Sequence, residues 1–451
     1  MELPARVGYS QQLAQDAEEG RFDMAMIDRA VERVLTLKFE LGLFENPFPC
    51  VEEMAAFDNT ENNKRSLDAA RKAMTLTKNN GLLPLTDRTK KIAVIGPMGD
   101  TVRAFYGCYT LAGGLEMAMS GTNAMAGVGA AGEETNGNVK LDLRIVDNML
   151  RAIYPEGQTT TEALRSRFDS VCCVEGCDYV SKENNDFDAA CQAAKDVDVV
   201  IMALGGRNGW GTYCTSGEGI DTTDIGLPGC QEELLRKVYE TNPNIVLVHT
   251  NVRPLVSEWA YEHIPAILEA WLPCAYGGAA IAETITGENN PGGRLQMDVP
   301  RSSGHSPVGH YFNRGSEAAS FRKGAINARG YVNADMGIQL PFGHGLSYTG
   351  FSYEDFAVSM VERQVTVSVK VTNTGSRRGD EVVQLYGVDK VASIVRPAEE
   401  LVGFKRVSLE PGESETVRFR FDLDILSFYD KPGHWILEAG EFEFYLGKNG
   451  I

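Results

Sequence analysis

Nowhere in its 451 residues does the chain carry an uninterrupted apolar run of about 18, the length a membrane-spanning helix requires. The opening Met1-Glu2-Leu3-Pro4-Ala5-Arg6 lacks a basic cluster followed by an apolar core, so it does not read as a secretory signal. Basic residues are in deficit: 43 Lys and Arg face 62 Asp and Glu, a formal net charge of -19. That balance argues against nucleic acid and anionic membrane as partners, because both select basic patches, whereas a neutral ligand such as a sugar fits it. Histidine is scarce, with six in all, and shows no metal-binding pattern: His305 and His310 lie in an irregular stretch and His344 in a glycine-rich turn. The nine cysteines include Cys172, Cys173 and Cys177, which is not a zinc spacing, so no metal is expected. Odd in number and scattered, they read as small buried hydrophobes in a reducing compartment, and the expected location is cytoplasmic.

A nucleotide cofactor is not expected either. No P-loop occurs, and Gly96-Pro97-Met98-Gly99-Asp100 after a strand lacks the three-glycine dinucleotide spacing. Pro97 also removes an amide that a phosphate would need.

What is present is an ordinary globular composition, 43% hydrophobic and 23% charged, in a chain long enough for about three domains. The first piece is helical: Asp23 caps a helix with apolar Met24, Ile27, Val31, Val34, Leu35 and Leu41, ended by Gly42 and followed by Pro47. Such a helix has one apolar face that needs a partner. A second helix is expected from Ser66 to about Asn79. Continuous apolar runs then begin at Lys91, Ser170, Asp198, Asn244 and Ala266, with helical segments between them, for example Gln231 to Glu240 and Gly278 to Thr286. Runs of this kind belong to a parallel sheet covered on both faces, with sites beyond the carboxyl ends of its strands. Two irregular stretches, Thr110 to Asn138 and Arg301 to Pro341, read as long loops. From about Ser352 the pattern is all-β, with Val365, Val367, Val369 and Val371 alternating and turns at Thr374-Gly375, Glu410-Pro411-Gly412 and Glu438-Ala439-Gly440, as in a fibronectin-like sandwich.

One segment suits catalysis. After the strand ending at Leu204 come Gly205-Gly206-Arg207-Asn208-Gly209-Trp210, then Ser216-Gly217-Glu218-Gly219-Ile220-Asp221, closed by Leu227-Pro228 and the helix from Gln231. Glu218 lies between two glycines, so the backbone can turn sharply and present its carboxylate at a sheet edge. A carboxyl group held in such a cleft can act as general acid, then base. Acidic loop residues are also commonly just solvated surface. Asn251 and Arg253 follow another strand end and either brace this loop or meet a ligand.

Five separated motifs resemble glycoside hydrolase family 3. They are Arg33-Val34-Leu35 with Gly42-Leu43-Phe44; Gly81-Leu82-Leu83-Pro84 with Ile92-Ala93-Val94-Ile95-Gly96-Pro97; Ser216-Gly217-Glu218-Gly219 with Asp221; Asn290-Pro291-Gly292-Gly293-Arg294; and Pro341-Phe342-Gly343-His344-Gly345-Leu346-Ser347. The resemblance implies an α/β plus all-β fold in four parts. These are the end of a (β/α)8 barrel at 1–48, a helical linker at 49–89, an α/β sandwich at 90–350 and a fibronectin type III-like domain at 351–451. It implies a retaining exo-β-glycosidase, β-glucosidase or β-xylosidase, with Glu218 as acid/base, Arg207 and Asp221 at the substrate, and no cofactor. The family's nucleophile is an aspartate in a Ser-Asp-Trp-like barrel motif that this sequence does not contain. Most of a barrel of about 250 residues is therefore expected elsewhere, upstream or as a separate subunit, and the chain alone is expected to be inactive. Thr222 departs from the family, which commonly has Arg after the Asp. Outside catalysis, the alternative is a module that binds carbohydrate or a protein partner.

Overall fold

The computed structural model describes residues 11–48, 50, 58–120, 143–183, 185–210, 214–306, 308–311 and 337–447. Most of the first expected loop beyond residue 120, most of the second and the opening ten residues lie outside them.

The chain divides into two compact units, Met1–Asn63 and Lys64–Ile451. The first contains helices α1 (Gln11–Glu18) and α2 (Met24–Glu40). Asp23 Oδ1 accepts from the Ala25 amide at 3.0 Å, and Gly42 at φ +65° turns the chain out of the helix. No residue of α2 is buried, and Val31, Val34, Leu35 and Phe39 on its apolar face are exposed.

Helix α3 (Thr60–Ala73), whose residues from Lys64 onward belong to the second unit, leads into a six-stranded sheet. Its strands are β1 (Thr75–Asn79), β2 (Lys91–Ile95), β3 (Ser170–Val174), β4 (Val199–Gly205), β5 (Ile245–Thr250) and β6 (Ala266–Glu269). They lie in the order β1-β6-β5-β4-β2-β3, with β1 antiparallel to β6 and all other pairs parallel. Alternate residues feed two cores: Ile92, Val94, Val199, Ile201 and Ala203 into one, Ala93, Ile95, Val200, Met202 and Leu204 into the other. Helices α4 (Leu111–Ser120), α5 (Leu143–Ile153), α6 (Thr160–Arg165), α7 (Phe187–Lys195), α8 (Gln231–Thr241), α9 (Glu258–His263) and α10 (Gly277–Thr286) connect and cover it. Helices α5, α6 and α10 pack on the first core, α7, α8 and α9 on the second. Two covered faces explain why every residue of β4 and β5 is buried.

Three expectations are corrected. The helix expected over 66–79 ends at Ala73, and the α/β domain expected from 90 takes its first strand from 75–79. Leu76 pairs with Leu268, and the Leu346 amide donates to Leu76 O at 2.7 Å, so ladder hydrogen bonds and burial outweigh local helical periodicity. The stretch from Thr110 is not all loop, because α4 occupies its first part. Gly113 hid it: a Cβ there would stand 2.1 Å from Cys108 O, so glycine marks a close approach rather than irregular chain.

From Phe351 the chain is all-β. Strands β7 (Phe351–Val361), β8 (Gln364–Asn373), β9 (Gly379–Asp389), β10 (Glu400–Leu409), β11 (Ser414–Asp422) and β14 (Phe442–Gly447) form two antiparallel sheets, β10-β9-β14 and β11-β8-β7. A small hairpin, β12 (Phe428–Tyr429) and β13 (Trp435–Ile436), lies beside them in sequence. The alternating valines of β8 face a core with Val383, Leu385, Leu409 and Phe419. Arg294 pairs with Glu381 at 3.0 Å, both nearly buried, and Arg406 donates to Lys72 O at 3.1 Å, tying sandwich to α/β domain.

Candidate functional site

The site lies where the strand order reverses. From β2 the chain moves to β3 on one side, and from β4 to β5 on the other, although β2 and β4 are neighbours. The loops leaving their carboxyl ends meet at this switch point, the usual ligand position of an open α/β sheet.

After β2, the amides of the Gly96 turn are engaged within the protein. Gly96 N donates to Val174 O at 3.1 Å, Met98 N to Ala203 O at 3.2 Å and Gly99 N to Gly96 O at 3.2 Å. A phosphate would find no free nest there. The chain continues over Asp147, whose Oδ1 accepts from Thr101 Oγ1 at 3.0 Å, Val102 N at 3.0 Å and Arg103 N at 2.8 Å. Burial raises the Asp147 carboxyl above its ordinary range despite these bonds. Arg103 points inward and forks onto Glu116 of α4 with two bonds of 2.6 Å. It also donates to Tyr106 O at 2.6 Å and Asn208 O at 2.8 Å.

After β4, Gln231 clamps the two ends of the loop: its amide accepts from Gly205 N at 2.8 Å and donates to Gly205 O at 2.9 Å. Inside it, Gly209 N donates to Ser216 O at 3.0 Å and Thr215 N to Arg207 O at 2.8 Å. Asn208 accepts from Cys108 N at 2.7 Å and donates to Ser216 Oγ at 3.1 Å, while Trp210 Nε1 donates to Cys108 O at 3.1 Å. The two loops are thereby stitched into one body. At Gly217 a Cβ would fall 1.9 Å from Gly209 O, so only glycine lets the chain pass before Glu218.

Glu218 stands exposed at the tip of this body. The Tyr109 hydroxyl donates to its Oε2 at 2.7 Å, and the Tyr109 ring meets Trp210 edge-on, centroids 6.1 Å apart at 84°. The carboxylate beside it is the chief reason the Tyr109 phenol is raised above its ordinary range.

The other two expected site residues occupy different levels. Asp221 is at the surface, where Arg253 Nη2 donates to it at 2.8 Å and holds its carboxyl below the usual carboxylate range. A cavity of about 410 Å3 adjoins it, lined among others by Lys182, Asp224, Asn251 and Arg253. Arg253 thus braces the loop and supplies a cation to Asp221 where Thr222 cannot. Arg207, expected at the substrate, is buried, and its guanidinium engages Glu116 beneath the loop. With Arg103 it holds Glu116, and the three side chains support the loop that carries Glu218. Sequence reasoning missed Arg103, Glu116 and Tyr109: Glu116 sits in a glycine-rich stretch, and nothing local marks a tyrosine whose partner lies on another loop. Among the described residues no cluster of His, Cys, Asp or Glu could hold a metal, and no helix is long and apolar enough to cross a membrane.

Residues 74–348 match the Glycosyl hydrolase family 3 C-terminal domain, and residues 381–450 match a Fibronectin type III-like domain. The chain belongs to glycoside hydrolase family 3. The family chain is 34% identical over 433 residues to a beta-xylosidase of Formosa agariphila, covering 94% of this chain and 54% of that protein. It is 32% identical to the periplasmic beta-glucosidase of Salmonella typhimurium, covering 97% and 56%. Among solved structures, a mutant beta-glucosidase from Listeria innocua in complex with laminaribiose superposes with a TM-score of 0.77 at 28% identity, over 97% of this chain and 55% of that one. The chain therefore spans about half the length of these relatives, and it shares with them a family 3 α/β domain followed by a fibronectin type III-like sandwich.

Proposed function

We propose that this family 3 chain is part of a retaining exo-β-glycosidase that removes terminal non-reducing β-D-glucosyl residues, with Glu218 as its general acid/base. The carrying observation is that two stitched loops at the switch point hold Glu218 exposed, with the Tyr109 hydroxyl donating to its Oε2. In the first step Glu218 gives its proton to the leaving glycosidic oxygen as a second carboxylate bonds to the anomeric carbon. In the second it takes a proton from the water that releases the sugar. Double displacement needs that second carboxylate about 5–5.5 Å away. The Ser-Asp-Trp-like motif is absent from the 451 residues, so we assign the nucleophile, and most of the sugar pocket, to a barrel outside them. A cytoplasmic location belongs to the same proposal, supported by cysteines that are odd in number and scattered along the sequence.

A β-xylosidase is the second candidate, because the 34% identical relative carries that name. One assay separates these cases: hydrolysis of p-nitrophenyl β-glucoside and β-xyloside by the chain alone and with a separately expressed family 3 barrel from the same genomic neighbourhood. Turnover only in the mixture, abolished by Glu218→Gln, is expected, and the faster substrate names the sugar. Turnover by the chain alone would show that its own residues supply the nucleophile. Silence of the mixture, with sugar binding that survives Glu218→Ala, would make the chain a binding module.

A further inference from the structure

Tyr109 belongs to the loop after β2, and Glu218 to the loop after β4, so their contact joins the two loops. The backbone carrying Tyr109 is fixed at many points. Cys108, just before it, donates to Asn208 Oδ1 at 2.7 Å and accepts from Trp210 Nε1 at 3.1 Å. Thr110, just after it, closes a turn onto Gly107 O at 2.6 Å. The buried Arg103–Glu116 pair lies beneath. Tyr109 is 78% exposed, so burial does not explain the position of its side chain. What fixes it is the edge contact with Trp210 and the 2.7 Å bond to Glu218 Oε2.

The two oxygens of Glu218 are therefore not equivalent. Oε2 already accepts from a hydroxyl whose proton stays on tyrosine, because a neutral phenol is the donor and a phenolate beside the carboxylate would be repelled. A proton carried by Glu218 then sits on Oε1. From this geometry we infer that Tyr109 is the positioning residue of the acid/base: it holds Oε2 and leaves Oε1 as the oxygen that passes the proton to the glycosidic oxygen and recovers it from water. The inference rests on the assignment of Glu218 as acid/base. The substrate it implies is one with a poorly activated leaving group, an alkyl or sugar alcohol, because only such groups need a well-aimed proton.

The contact is tested on the chain itself by carbon-13 NMR of its labelled tyrosine Cζ atoms, with Tyr109→Phe assigning the signal. In the wild type Tyr109 titrates above the other exposed tyrosines. Glu218→Gln removes the charge but keeps an acceptor, and the Tyr109 midpoint falls by about half a pH unit or more. An unmoved midpoint overturns the contact and with it the inference. The aiming is tested in the reconstituted mixture with a barrel. Tyr109→Phe, which keeps the ring on Trp210, is expected to lower kcat about three- to tenfold on an alkyl or disaccharide substrate, with KM little changed, and to spare a dinitrophenyl glycoside. Equal losses on both substrates overturn the positioning role even if the NMR coupling is found. A mixture that turns over neither substrate counts against the split-enzyme proposal, and the NMR result alone then decides the Tyr109 contact.

Discussion

Replacing Glu116 by glutamine removes the carboxylate that Arg103 and Arg207 share, and leaves two guanidinium groups in a site from which water is excluded. The side chains of Arg103, Glu116 and Arg207 are 1%, 0% and 2% exposed. At an effective dielectric constant of about 20, a close charge pair is worth about 4 kcal/mol. Glutamine no longer carries the desolvation cost of the carboxylate and keeps one acceptor, which returns part of that sum. Breaking a buried pair from one side typically costs about 3–5 kcal/mol, and the lower end is expected here. Against a total stability of about 5–15 kcal/mol this is a large fraction. With a urea m-value of about 3 kcal/mol/M, the midpoint of the α/β domain falls by about 1 M. Equilibrium urea unfolding followed by tryptophan emission reads the midpoint, and hydrogen exchange at the Cys108 amide reads loosening between the loops. Adding Arg207→Met to the variant removes one stranded cation and is expected to recover part of the loss. A midpoint within about 0.2 M of wild type would refute the assignment of this cluster as the foundation of the Glu218 loop.

Gly217→Ala forces a Cβ against Gly209 O, nominally 1.9 Å away. An overpacking cost of about 1–3 kcal/mol lowers the melting temperature by about 2–10 °C, and the displaced Glu218 loses its Tyr109 contact; calorimetry and the Tyr109 NMR signal check both. Of the thiols, Cys172 is exposed, whereas burial pushes Cys214 up to about 11 and Cys177 higher still. Since the thiolate is the nucleophile, Cys172 is expected to react with an aromatic disulfide reagent at mildly alkaline pH long before Cys177 and Cys214, which respond after unfolding. Peptide mapping of the labelled chain would expose an inverted order.

The parts of the fold legible in the sequence are those in which burial is periodic. Strands β2, β4 and β5 are continuous apolar runs because both their faces are covered, and β8 alternates because one face is. The loop that carries Glu218 is legible because glycines flank that residue, and at Gly217 glycine has a steric reason to be there. What sequence did not show depends on pairs far apart in the chain. β1 is a strand because β6 lies beside it, Arg207 is buried because Glu116 comes from α4, and Tyr109 matters because two loops close on each other. None of these has a local signal, since the partner of each residue is set by the strand order, which puts β2 next to β4.

Strand β1 also has a history that the finished fold conceals. Its partner β6 is made about 190 residues later, since Thr77 meets Ile267 across the pair. At a synthesis rate of about 5–20 residues per second, β1 waits about 10–40 s beside the ribosome with an unfilled edge. Met74 and Leu76, wholly enclosed in the native state, are bare during that interval. Brevity protects it: five residues, among them Lys78 and two threonines, offer stray chains little to pair with. When β6 arrives it completes the sheet, and Gly293 and Leu346, made later still, then donate to Met74 O and Leu76 O, so the domain closes last where it began first.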